Sequence, residues 1–293
     1  MNLFKKIWLN FKPILKLTFV ISSSALSFIT ILLSFLSWDD MNITKTGEKF
    51  GILLGVIALS FVISIFLIVI ILRKNELWAN GKNKVLAYYG DIFKTMKNNK
   101  KKIIVIPVND TFETIVDDDL SQNKSLVSSN TIHGRWIKYM ASVGVTYDQL
   151  NSKIDDFFKS RNINPEKTYD KTEKTRGNLK SYKMGQVAII NGDNNTTFYL
   201  IAISKFNENN NAFSNKRIIR NCIDDLIDFY DENGQGYPIY IPLFGTGRSR
   251  SNLNHQQAFN LIKGSILTNE KNINGIMNIV VYKEDKDKVS IFK

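Results

Sequence analysis

The chain has 293 residues, 44% hydrophobic and 23% charged, a composition that excludes wholesale disorder and allows one or two folded domains. Its 39 Lys and Arg against 27 Asp and Glu leave a formal charge of +12, which fits a membrane surface, a nucleic acid or an anionic small molecule as partner. A single cysteine, Cys222, excludes a disulfide framework and a C-x-x-C zinc cluster and points to a reducing compartment.

Two runs without any charged residue, Leu17–Trp38 and Phe50–Leu72, come first in chain order. Each is long enough to cross a bilayer as a helix, which takes about 20 apolar residues. The first is too long for the core of a leader peptide, and no small-residue cleavage motif precedes the Trp38-Asp39-Asp40 break. Lys5, Lys6, Lys12 and Lys16 precede the pair, and Arg73, Lys74, Lys82 and Lys84 follow it, whereas the connecting loop has no basic excess. That asymmetry places both termini in the cytoplasm. The expectation is therefore a transmembrane hairpin over residues 1–73, in a multi-pass protein of the cell inner membrane. Ser23, Ser27, Thr30, Ser34 and Ser37 form one helical stripe, and Gly51 and Gly55 stand at the G-x-x-x-G spacing. Both features suit close helix association, either within one hairpin or between copies. No charge lies inside either run, which argues against an ion-selective pore or a proton relay.

Residues 74–293 are polar and amount to one domain. Strand-like patterns occur at 85–89, 103–108, 186–190, 198–204, 238–242 and 275–282, and helix-like ones at 133–142, 147–158, 214–232 and 254–268. This order predicts an α/β fold with helices packed on a mixed sheet. The lysine-rich stretch from Arg161 to Lys183 reads as an exposed loop or hairpin insertion.

Ligands of open α/β sheets bind at strand ends, and the informative residues are there. Tyr89-Gly90-Asp91-Ile92 sets an acid directly after a strand, and Ile103 to Val108 delivers Asn109. Ser128-Ser129-Asn130-Thr131 precedes a helix whose first-turn N–H groups suit a phosphate. Ile239 to Pro242 runs into Leu243-Phe244-Gly245-Thr246-Gly247-Arg248, a glycine loop fit to wrap a diphosphate, with an arginine to neutralise it.

On these four motifs, in this order, the chain from about Val85 onward resembles a macro domain, the ADP-ribose-binding fold. The resemblance implies a three-layer α/β/α domain and a set of roles. Asp91, with Ile92, would take the adenine amino group, and Asn109 the distal ribose. Ser129, Asn130 and Thr131 would form the first phosphate loop, and Phe244, Gly245, Thr246, Gly247 and Arg248 the second. Ser128, Ser129 and Asn130 stand where the family carries glycines that place a hydrolytic water, so a receptor is expected rather than an enzyme. No cofactor or metal is expected. With the amino-terminal hairpin added, the chain is similar to the membrane-anchored macro-domain effectors of Thoeris bacterial anti-phage defence. That similarity implies an ADP-ribose-derived signal made by a TIR-domain partner, followed by self-association and damage to the lipid bilayer. The competing readings are a membrane-tethered ADP-ribosyl hydrolase and a nucleic-acid binder; the second lacks a groove-reading helix or stacking aromatics.

Each residue also has a plainer reading. Asp91 fits a helix cap, Asn109 a turn, and the glycine loop a tight strand-to-helix connection. His133 and His255 have no assignable catalytic partner, so structural roles are expected. Asp117-Asp118-Asp119 reads as a solvated acidic turn and Cys222 as core.

Overall fold

The computed structural model describes residues 3–116, 126–206, 212–246 and 251–292 and divides the chain into two units. The first comprises Met1–Asn75 and Lys286–Lys293, the second Glu76–Asp285.

In the first unit, helix α1 (Leu3–Leu9) is followed after Asn10 by α2 (Phe11–Leu33), and α3 (Thr46–Ile65) continues into a π-helical turn over Phe66–Ile71. The apolar run placed the first span at about 17–38, but the helix occupies Phe11–Leu33. Two physical causes shift it. Lys12 and Lys16 are good helix formers and Pro13 is tolerated in a first turn, so winding starts before the charge-free run. At the other end Ser37 donates to Asp40 at 2.7 Å and its own N–H is taken by the same carboxylate, which folds residues 34–40 into turns. The second run, expected over 50–72, is helical over Thr46–Ile71, and both helices are long and apolar enough to cross a membrane.

These two helices pack as a hairpin along a seam of Ile14, Thr18 and Ser22 against Ser60, Ser64, Ile68 and Val69, all buried. Every hydroxyl in the seam bonds within its own helix, such as Thr18 to the Ile14 carbonyl and Ser64 to that of Ser60, both at 2.8 Å. The Ser27, Thr30, Ser34 and Ser37 positions of the predicted stripe are exposed, and a Cβ added at Gly51 or Gly55 would meet nothing within 4 Å. The small-residue faces therefore lie outside the seam. Phe19, Phe28, Phe50, Leu59 and Val62 are exposed on the same helices, an apolar surface that suits hydrocarbon better than water.

The second unit is built on a mixed sheet. Strands β1 (Lys74–Asn80), β2 (Asn83–Gly90), β3 (Lys102–Asn109), β6 (Val187–Asn191), β7 (Thr196–Phe206), β9 (Ile239–Pro242) and β10 (Ile276–Tyr282) lie in the order β1-β2-β10-β9-β3-β7-β6. The five strands β2, β10, β9, β3 and β7 are parallel, and β6 closes the far edge antiparallel to β7. A short β8 (Ala212–Phe213) pairs with the end of β7, and β4 (Lys167–Thr168) pairs with β5 (Lys180–Ser181) in a separate ribbon.

Helices cover both faces. Ile104, Ile106, Phe198, Leu200, Ala188 and Ile190 pack with Trp136, Ile137 and Met140 of α4 (Ile132–Ser142) and with Leu150, Ile154 and Phe158 of α5 (Tyr147–Ser160). The alternate residues of the same strands turn the other way. There α6 (Lys216–Asn233) packs on β7, Phe229 against Tyr199 at 5.2 Å, and α7 (His255–Thr268) packs on β10 and α6. Burial on both faces explains why β3 is apolar almost throughout. Helix starts are set by side-chain caps from Thr131, Thr146, Asn215 and Asn254, with reciprocal bonds from Gln149 and Gln257 at the second and fourth. The three layers and the mixed sheet are those expected.

Candidate functional site

Because β2, β10, β9, β3 and β7 run parallel, their carboxyl ends share one edge of the sheet. Register fixes the details: Tyr282 pairs with Gly90, Val280 with Pro242, and Asn109 with Ser204 across a bulge after Val108. Three of the four sequence motifs, those at Asp91, Asn109 and Gly245, are thus delivered to the same edge by β2, β3 and β9.

Asp91 follows β2 and caps a short 3₁₀ turn, accepting from the Phe93 N–H at 3.1 Å. Its two oxygens also accept from Arg135 Nη2, at 3.1 and 2.8 Å, and the guanidinium lies 4.6 Å from the Phe93 ring centre. The expected cap and the expected acceptor are therefore the same carboxylate, held in one orientation by a residue of α4. Ile92 beside it is core.

Asn109, 3% exposed, binds its own loop: its amide donates to Thr111 Oγ1 at 2.8 Å and accepts from the Glu113 N–H at 3.0 Å. Below it lies a buried polar cluster that the sequence reading did not find. Glu113 is fully buried, with Lys174 Nζ 3.5 Å away, and it accepts from the Asn178 N–H at 3.0 Å. Lys174 also donates to Thr111 Oγ1 and the Asn178 carbonyl, at 3.2 and 2.5 Å. The Asn178 side chain reaches the carbonyls of Thr111 and Phe112. Asp110 accepts from Ser181 Oγ at 2.7 Å and from the Phe206 N–H at 3.1 Å. Burial raises the pKa of Glu113 and lowers that of Lys174, and their mutual attraction opposes both shifts.

The Arg161-to-Lys183 stretch is, as expected, a hairpin insertion that is mostly exposed, with β4 paired to β5. What was not expected is that Lys174 and Ser181 within it are buried, bonded to Glu113 and Asp110. A lysine-rich run gives no hint of which lysine is inside, and its partner Glu113 is remote in sequence.

Ser129, Asn130 and Thr131 lead into α4. Thr131 accepts from the Gly134 N–H at 3.0 Å and donates to the Ser128 carbonyl at 2.7 Å. A Cβ at Gly134 would lie 2.1 Å from that carbonyl oxygen, so the loop closes on the helix only because residue 134 is glycine. The neighbouring His133 is buried, faces Trp136 at 6.2 Å and bonds the Glu113 backbone; burial pulls its pKa down to about 3. The imidazole is thus enclosed and kept neutral by burial.

After β9, Phe244 is buried and Gly245 takes φ +86°, a left-handed conformation that favours glycine. Ser251 donates to the Gly245 carbonyl and accepts from the Leu253 N–H, bringing the loop back to the Asn254 cap of α7. Thr246 is half-buried in this turn. Gly247 and Arg248 lie outside the described residues, as do Asp117 to Asp119. Cys222 is core, donating to the Ala202 carbonyl. Among the described residues no group of three or more His, Cys, Asp or Glu is placed to hold a metal ion. Arg135, the contact the sequence reading missed, had no local signal, since Asp91 precedes it by a whole strand and helix.

A family model described as the macro domain of Thoeris protein ThsA matches residues 85–282. A Thoeris protein ThsA from Bacillus amyloliquefaciens (strain Y2) is 26% identical over 251 residues, covering 83% of this chain and 77% of that one. Among solved structures, an Oceanobacillus iheyensis macrodomain with ADP is 13% identical, TM-score 0.41, over 74% of this chain and 93% of its own. A Trypanosoma brucei macrodomain in complex with ADP-ribose is 9% identical, TM-score 0.36, over 69% and 65%.

Two outcomes test the buried cluster. Lys174→Met leaves Glu113 enclosed without its cation and should cost about 3–5 kcal/mol, most of it recovered in Glu113→Gln/Lys174→Met. Urea unfolding of the detergent-solubilised full chain reads this directly. His133 has a folded pKa of about 3 against roughly 6.5 unfolded, so below the unfolded value only the unfolded chain takes up the proton. Stability present above pH 6.5 should therefore fall as the pH drops, with a limiting slope of about 1.4 kcal/mol per unit from this group. Unfolding midpoints between pH 7 and 5 should lose that component in His133→Gln.

Proposed function

This chain belongs to the Thoeris ThsA macro-domain family of anti-phage defence, and on that premise we propose that it is a membrane-anchored receptor for an ADP-ribose-derived signal. The observation that carries the reading is the common edge: Asp91 ends β2 and the Gly245 turn ends β9, on strands separated only by β10. A preset carboxylate is a fit acceptor for an exocyclic amine, and a loop with a left-handed glycine exposes backbone N–H groups to a diphosphate.

In this reading a TIR-domain enzyme makes the signal, the macro domain receives it, and the hairpin delivers the output in the inner membrane, with both termini and the macro domain cytoplasmic. The protein acts as a receptor and leaves its ligand intact, because Ser128, Ser129 and Asn130 occupy the loop where glycines would admit water. Self-association follows ligand binding and brings several hairpins together. The reading is supported by helices whose apolar and small-residue faces, Gly51 and Gly55 among them, lie outside the hairpin's own seam.

Asp91→Asn retains the shape of the side chain but replaces one acceptor oxygen with a donor. A hydrogen bond to a charged group contributes about 1.5–3 kcal/mol, so affinity for ADP-ribose should fall roughly tenfold or more in calorimetric titration. Absence of binding by the folded wild type would sink the receptor reading, and multiple turnovers of ADP-ribose conjugates, seen by mass spectrometry, would replace it with hydrolysis. For the output, Gly51→Ile/Gly55→Ile should abolish permeabilisation of the membrane while leaving affinity unchanged. Undiminished leakage in the correctly inserted variant would reject that face as the contact.

A further inference from the structure

The last residues of the chain do not belong with the sheet they follow. Lys286–Lys293 form part of the hairpin unit. Val289, Ser290 and Ile291 are fully buried, and Phe292 packs with Ile14, Ile68 and Val69. Ser290 Oγ donates to Asn10 Oδ1 at 2.5 Å, and the Asn75 amide donates to the Ile291 carbonyl at 2.7 Å. Lys286 Nζ donates to the Val69 carbonyl at 2.7 Å. Val69 lies in the terminal π-helical turn, where carbonyls run out of intrahelical donors, and a cation there also suits the helix dipole. The tail thus binds the Asn10 junction between α1 and α2, the seam, and the last turn of the second span.

Its other end begins at the candidate site. β10 finishes at Tyr282, in register with Gly90 beside Asp91. A 3₁₀ turn over Lys283–Asp285 follows, and Asp285 Oδ1 is 3.6 Å from His255 Nε2. His255 opens α7 directly after the loop that starts at Gly245. Two segments of the site therefore lead into the tail through a single 3₁₀ turn, Tyr282 lying four residues and Asp285 one residue before Lys286.

We propose that the C-terminal tail is a latch: seated on the hairpin it holds the membrane helices in their resting arrangement, and occupancy of the site unseats it. The proposal rests on the receptor reading above. Linkage makes the effect reciprocal, so whatever loosens the tail tightens the ligand by the same factor.

The test uses the full chain in liposomes, carrying Cys222→Ser and Ser290→Cys, with ADP-ribose as probe. Ser290 is enclosed when the tail is seated, so the rate of maleimide labelling at that position reports unseating. Saturating ADP-ribose should raise the rate roughly fivefold or more, the lower range of allosteric couplings. Lys286→Met, which removes the bond to Val69, should raise it without ligand and tighten ADP-ribose by a comparable factor. The same measurement on Val289→Cys serves if Ser290→Cys fails to fold. Bound ADP-ribose with an unchanged labelling rate would overturn the latch and leave the receptor reading standing. Labelling that is fast in every state would show the tail unseated at rest and would also overturn it. Failure of the wild type to bind ADP-ribose would remove the receptor reading and the latch together.

Discussion

The placement of the last strand is the constraint on which the rest depends. β10 lies between β2 and β9, and those two strands touch only through it. Until residues 276–282 are in place, the sheet is two pieces, one ending at Asp91 and the other carrying Asn109 and the Gly245 turn. Its central contacts span almost the full length of the domain, the kind of non-local pairing that forms late and cooperatively. A candidate site divided between the two pieces exists only in the finished sheet. The same strand is the last before the chain leaves the domain for residues 286–293.

The edge is stiffened by side-chain bonds where a macro domain would be expected to use glycine. Thr131 closes the first loop onto α4, Arg135 from that helix fixes Asp91, and Asn109 folds residues 109–113 back on themselves. Lys174 and Asn178 then clamp the same loop from beneath. Ordered in advance, such groups lose little entropy when a ligand arrives. The arrangement is brittle for the same reason: a charge pair enclosed this deeply tolerates removal of both partners far better than removal of one.

Much of the fold was legible because period and burial agree. β3 and β10 are apolar runs of strand length, and α5 and α6 carry their apolar residues at helical spacing behind a capping residue. β1 escaped notice because it is an exposed edge strand whose Lys74, Asn75, Glu76 and Asn80 read as linker. The span boundaries slipped because hydropathy measures where charge is absent, whereas winding is set by propensity and turns. Of the candidate site, the strand-end positions were visible and their bonding was not. Asp91, Asn109 and Gly245 each announce an end of a strand, but the partners that orient them come from residues remote in the chain. Lys174 is the sharpest case, since the composition that marks its segment as surface is true of its neighbours and false of it.

In the hairpin the driving force is different. On the reading that the hairpin crosses a bilayer, the surroundings are as apolar as leucine, so two helices gain nothing there from excluding water and depend on close contact of small residues. The seam of Thr18, Ser22, Ser60 and Ser64 supplies that contact, but its hydroxyls bond their own helices and contribute no bond across it. What does join separate segments is polar and sits at the chain ends: Ser290 with Asn10, Lys286 with Val69, Asn75 with Ile291. Each is a single hydrogen bond, with a net contribution of about 0.5–1.5 kcal/mol, somewhat more where the lysine is the donor. Together with the packing of Phe292 on Ile14, Ile68 and Val69, they fasten residues 286–292 to both helices of the hairpin. These bonds come from residues that follow β10, more than two hundred residues along the chain from the partners they hold.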